Sequence, residues 1–284
     1  MSSSGRCADL SELLGEQLGA TATTAENWLL VEVPGTWQRD VAAGAGLPDP
    51  ARAAVLAWLE TTPSSRLLFL RRPGRTRGAG LLAFVVRAGE THASVQRFSL
   101  ASPGQLADVD LEHDGEPIAT PLVLVCGHGV RDACCALRGA AVYAALVGPL
   151  DEDQLWLSSH QGGHRFAANV LVLPLGLHLG RIAPEGSAPI VARALAGRID
   201  LSHYRGRSVY AARVQAAELA VRTARGLDGV ADLELVDADG AIVRFRDAAG
   251  EEHVAVVEES VGPTVPASCG ADPEPQAGFV ARVV

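Results

Sequence analysis

Apolar residues follow two rhythms along this chain, and the switches between them mark out the elements. Short apolar runs at Trp28 to Val33, Arg66 to Arg71, Gly80 to Arg87 and Ser94 to Leu100 predict strands. Between the first two, Val55, Leu56 and Leu59 recur at helical spacing and predict a helix over Pro50 to Glu60. Ahead of them, Leu10, Leu13, Leu14 and Leu18 share one face of a short helix over residues 9 to 19, with Asp9 as N-cap and Gly19 at its end. Arg71 to Arg77 lies between two strands and reads as an arginine-rich hairpin tip, a solvated turn first and a docking patch for an acidic redox partner second. Residues 101 to 120 are acidic, rich in turn formers and aperiodic, which places a domain boundary there.

Beyond that boundary the pattern tightens. Pro121 to Val125 is a buried strand running into a loop at Cys126. Asp132 is placed to cap a helix from Ala133 to Val147, which Gly148-Pro149 stops. Gln154 to Ser158 is a second strand, Gly163 to Asn169 one or two helical turns, Val170 to Pro174 and Leu177 to Ile182 paired strands, and Pro189 to Ala196 a closing helix. This order gives an α/β fold with a thioredoxin-like core, and both loops after its parallel strands emerge at one end of the sheet. A helix over Ser208 to Arg225 follows. A β meander over Asp232 to Val236, Ala241 to Arg246 and Glu252 to Glu258 comes next, and then a proline-rich tail from Gly262 that wraps the surface. The expected division is an N-terminal α/β domain at 1–117, a thioredoxin-like domain at 118–200, and a C-terminal helix and meander at 201–284. The strand and helix order of the N-terminal third resembles a second copy of the central fold.

Composition changes this picture little. The chain has 284 residues, 48% of them apolar and 20% charged, enough for a substantial core. A net charge of -9 argues against nucleic acid or an anionic membrane as partner. The N-terminus has no apolar run fit for a secretory signal, and no segment reaches the roughly 20 apolar residues of a membrane span, so a cytoplasmic location is expected. Five cysteines in a reducing compartment point to metal or redox chemistry ahead of disulfides.

Three of those cysteines and three of the eight histidines fall between Cys126 and Asn169. Cys126 and Cys135 flank the first loop, and His160 and His164 lie after the second strand. Two thiolates and two imidazoles fit either tetrahedral zinc or a [2Fe-2S] cluster. Cys135 falls in the first helical turn, where the helix dipole favours a thiolate, with Cys134 as its immediate rival. Gly162 and Gly163 give the second loop its backbone freedom. His128 reads as a hydrogen-bonding support, and Arg131 with Asp132 as a salt bridge and helix cap or as a tuning group. His178 reads as a sheet residue, and His92, His113 and His253 as exposed. His203, Arg205 and Arg207 read as a partner-facing loop, and Cys7 and Cys269 as free thiols remote from the motif.

The run Cys126-Gly-His-Gly-Val-Arg131-Asp132-Ala-Cys-Cys135, with His160-Gln-Gly-Gly-His164-Arg-Phe-Ala-Ala-Asn169, resembles the sucrase/ferredoxin-like family. The resemblance extends to His203-Tyr-Arg-Gly-Arg207 and Ser268-Cys269-Gly270. It implies a thioredoxin-like ferredoxin core with a [2Fe-2S] cluster on Cys126, Cys135, His160 and His164, and it favours Cys135 over Cys134. The function expected is electron transfer to or from a redox partner protein, with proton coupling through the second ring nitrogens of the histidines as an option and no catalytic residues. Two alternatives stand beside it: a structural or regulatory zinc protein using the same four residues, and a thiol redox enzyme working through Cys134 and Cys135. No pair of carboxylates is set for glycosidic cleavage.

Overall fold

The apolar runs pair edge to edge into one mixed sheet of ten strands; the structure, a computed structural model, describes residues 5–73, 80–90 and 92–284. Helix α1 (Cys7–Leu13) comes first, followed by β1 (Asn27–Glu32), α2 (Asp49–Thr61), β2 (Ser65–Arg71), β3 (Leu81–Arg87), β4 (Ser94–Leu100) and β5 (Glu116–Ile118). The central part adds β6 (Leu122–Cys126), α3 (Ala133–Leu146), β7 (Leu155–Ser158), β8 (Val170–Leu173), β9 (Leu177–Leu179), α4 (Pro184–Leu195) and β10 (Tyr204–Arg207). Then come α5 (Ala212–Arg225), β11 (Leu233–Asp239), β12 (Ile242–Asp247), β13 (Glu252–Pro266) and β14 (Pro273–Val283).

Strand order in the large sheet is β10-β9-β8-β6-β7-β2-β1-β3-β4-β5. Read outward from the β7/β2 junction, both halves follow one plan. A strand and its successor across a helix lie parallel, β1 with β2 and β6 with β7, and the third strand, β3 or β8, pairs antiparallel on the other side. The halves join through Leu70↔Ser158 and Arg71↔Leu157. The expected boundary near residue 118 falls inside β5, and the sheet is continuous across it.

Alternation along each strand divides the core between two faces. On the outer face, Leu29 and Val31 pack with Val55 and Trp58 of α2, and Val123 and Val125 pack with Val142 of α3 and Val191 of α4. On the inner face, Trp28, Leu68 and Phe84 from one half meet Leu124, Trp156 and Leu171 from the other. The sheet curls far enough for Trp28 on β1 to contact His178 on β9, with ring centroids 6.1 Å apart. Burial on both faces explains why the strands read as continuous apolar runs.

Several expectations need correction. The hairpin expected around Arg71 to Arg77 does not form between β2 and β3, which lie on opposite sides of β1. Arg72 is buried over the Trp156 ring and paired with Asp153 at 2.8 Å; Arg75 and Arg77 lie outside the described residues. Helix α1 stops at Leu13 and buries Cys7, Ala8 and Ser11, while Leu13 and Leu14 stay exposed. Helix α4 starts with Pro184 at its first turn and tolerates Pro189 inside. The proline-rich tail from Gly262 becomes the end of β13 and all of β14, which pairs with β13 at the edge of the four-stranded sheet β11-β12-β13-β14, where Pro275 disrupts no second ladder. His203 to Arg207 is no exposed loop, since β10 is buried throughout and pairs with β9. His253 is also buried, with Nε2 2.9 Å from Asp247. Among the described residues no helix is long and apolar enough to cross a membrane.

Candidate metal centre

Parallel strands β6 and β7 end side by side, with Cys126 opposite Ser158, so the loops that follow them share one end of the sheet. Asp132 then caps α3, its Oδ1 accepting from the Cys134 N–H at 2.8 Å. That cap sets the rotation of the first turn and sends the two adjacent cysteines in different directions. Cys135 turns to Cys126, and their sulfurs lie with a ring nitrogen of His160 all within 4.8 Å of one another. His164 stands against His160, centroids 4.7 Å apart and planes tilted 36°. The Nδ1 atoms of both rings are buried and find no hydrogen-bond partner among the described residues.

The loop is held from behind. His128 uses both ring nitrogens, Nε2 donating to the Gln38 carbonyl at 2.8 Å and Nδ1 accepting from the His160 N–H at 3.2 Å. This fixes its tautomer and leaves it as a support for the His160 backbone. Gly162 and Gly163 have φ of 95° and 68°; a Cβ on the first would strike Thr23 Oγ1, and on the second Arg205. The buried Arg205 guanidinium donates through Nη1 to the Gly162 carbonyl (3.1 Å) and to Asn169 Oδ1 (2.9 Å), while Asn169 Nδ2 donates to the Gly163 carbonyl at 2.9 Å. Arg131 forms no ion pair with Asp132 among the described residues; it lines the outer cleft with Arg39, beside His128 and His160.

The negative charge of the site settles on Cys126, not on Cys135. Hydrogen bonds from Cys135 and His160 hold the Cys126 thiol well below its ordinary range against the effect of burial. The same bond from the other side, with burial and the Cys126 and Asp132 charges, pushes Cys135 well up. The bond to Cys126 and burial, with the Asp132 charge adding to them, therefore outweigh the helix dipole that a lone first-turn cysteine would feel. Burial and neighbouring His160 hold His164 below the ordinary imidazole range, in the neutral state a ligand requires. Burial, then nearby Arg165, lowers Arg205 to about 9, partly offset by Cys126 and Cys135.

Cys134 faces the opposite way and meets Cys7 and Cys269, two thiols expected to stand alone. Their approach could not be read from spacing, since Cys7 and Cys269 lie 262 positions apart. Arg205 and Asn169 were also missed as a pair, although both fall in stretches that carry the family resemblance.

The family model described as sucrase/ferredoxin-like matches residues 18–206, well over half of the chain. This chain belongs to the sucrase/ferredoxin-like family. The matched span holds Cys126, Cys135, His160, His164 and Arg205 but neither Cys7 nor Cys269. Relatives of this family member are named altered inheritance of mitochondria protein 32. The one from Meyerozyma guilliermondii is 31% identical over 106 residues, covering 34% of this chain and 38% of its own. The Eremothecium gossypii protein is 33% identical, covering 32% and 34%, and that of Clavispora lusitaniae 29% identical, covering 44% and 50%. The chain thus spans between about a quarter and a half of the length of the curated relatives it matches. No solved structure matches it. The expected electron-carrier function is corrected by these relatives, whose name concerns the inheritance of mitochondria and carries no electron transfer through an iron-sulfur centre.

Proposed function

We propose that this sucrase/ferredoxin-like protein binds a metal centre at the common end of β6 and β7, with Cys126, Cys135, His160 and His164 as ligands and a [2Fe-2S] cluster as the centre. The observation that carries the reading is the convergence of two buried thiols with a ring nitrogen of His160, while the buried Nδ1 atoms of His160 and His164 find no hydrogen-bond partner among the described residues. A buried polar atom without a partner costs about 1–3 kcal/mol, a cost that ligation removes. The donor group within 4.8 Å comprises Cys126, Cys135 and His160, with His164 one ring further out. A spread donor set of this kind favours a cluster with two metal ions over a single tetrahedral ion, whose four donors must converge. We read the part of the sheet that presents them as a thioredoxin-like core: β6, α3 and β7, then antiparallel β8 and β9, closed by α4.

Iron, acid-labile sulfide and zinc analysis of anaerobically purified protein, with an optical spectrum, tests this. The expected result is roughly two iron and two sulfide per chain, lost in Cys135→Ala and His164→Ala. A colourless protein that takes up neither after anaerobic reconstitution, or one whose iron survives both substitutions, overturns it.

A further inference from the structure

The first turn of α3 serves two sites. Opposite Cys135, the Cys134 sulfur lies 3.7 Å from that of Cys7 and 3.4 Å from that of Cys269, and Cys269 lies 3.5 Å from Cys7. Asp132 completes the group, its Oδ1 3.4 Å from the Cys269 sulfur and 3.8 Å from that of Cys7. All but Cys269 are buried, and Cys269 is partly so.

We propose that Cys7, Cys134, Cys269 and Asp132 form a second metal site, a closed tetrahedral site for zinc(II). Zinc–sulfur bonds of about 2.3 Å place tetrahedral sulfurs about 3.8 Å apart, and a zinc–oxygen bond of about 2.0 Å places oxygen about 3.5 Å from each sulfur. The three sulfur edges and the carboxylate contacts already lie near these values. A disulfide would instead draw one pair to about 2.05 Å and leave the third sulfur out. Three thiolates and a carboxylate exceed the charge of the ion, and backbone N–H groups face the excess. Those of Cys134 and Cys269 each donate to Asp132 at 2.8 Å, and that of Ala8 is directed at the Cys134 sulfur. With four protein ligands the site has no open position, so its role is to fasten. It ties α1 and the turn between β13 and β14 to the loop that carries Cys126 and Cys135. Asp132 Oδ2 also lies 4.0 Å from His164 Nε2, so the clamp bears directly on the first centre.

The test uses the full chain, purified anaerobically, with zinc counted by native mass spectrometry. A Cys126→Ser/Cys135→Ser double variant, which removes the first centre, is expected to keep one zinc. Cys7→Ser and Cys269→Ser are each expected to lose it, with affinity down by roughly tenfold or more. Cobalt(II) added to metal-free double variant should give thiolate-to-cobalt charge-transfer absorption and the visible bands of a tetrahedral ion. Zinc retained in both Cys7→Ser and Cys269→Ser overturns the proposal. So does a double variant that binds neither zinc nor cobalt while its remaining cysteines titrate as free thiols or a disulfide. Failure of the first centre shows separately, as absent iron in the unaltered chain.

Discussion

Arg205 reaches the loop after β7 from β10 and holds it by hydrogen bonds that a single ammonium could not reproduce. Its Nη1 serves the Gly162 carbonyl and Asn169, its Nε donates to Thr21 Oγ1 at 3.1 Å, and its Nη2 reaches the Thr21 carbonyl. Arg205→Met leaves these buried acceptors unpaired, and a loss of about 2–4 kcal/mol is expected in urea unfolding of the metal-free protein. Arg205→Lys should recover only a small part, because one compact ammonium lacks the planar fork. The four proposed ligands were legible in the sequence because each pair sits in one short loop whose spacing survives folding. Arg205 was not, since its partner Asn169 lies 36 positions away and only strand pairing brings them together.

Among the elements, α3 was the most legible, its cap, start and stop all written locally. What its sequence did not disclose was the effect of the cap on charge. Asp132 satisfies the backbone N–H groups of both Cys134 and Cys269 while raising Cys135. Asp132→Ala should cost about 1 kcal/mol for the cap and about 1–3 kcal/mol more for the second, partly buried donor. Asp132→Asn keeps one acceptor oxygen and should fall between the two proteins; thermal unfolding of metal-free protein ranks all three. Strand β14 lay at the other extreme. Four prolines between Pro263 and Pro275 masked it, because proline composition reports the missing donor and not the edge position that makes its absence harmless.

For the molecule as a whole, the repeated strand order was half legible: the N-terminal runs gave their element types, but not the seam that joins β2 to β7. The curl of the sheet also traps His178, whose ring nitrogens find no partner among the described residues. Burial, with Arg205 and Arg66 nearby, holds it well below the ordinary histidine range. The unfolded chain therefore takes up a proton that the folded chain refuses. Stability is intact above about pH 6.5 and falls as pH drops below it, by up to about 1.4 kcal/mol per pH unit until the folded ring titrates. Urea midpoints measured between about pH 7 and pH 5 should show this fall, and His178→Leu should flatten it. An unchanged slope in that variant would place the acid sensitivity elsewhere. The meeting of Cys7, Cys134 and Cys269 has a consequence in time. Chains fold from the N-terminus as they are made, and His164, last of the four proposed ligands of the first centre, leaves the ribosome 105 residues ahead of Cys269. On the proposed ligands, the direction of synthesis releases the inner loop first and the clasp that shuts over it last.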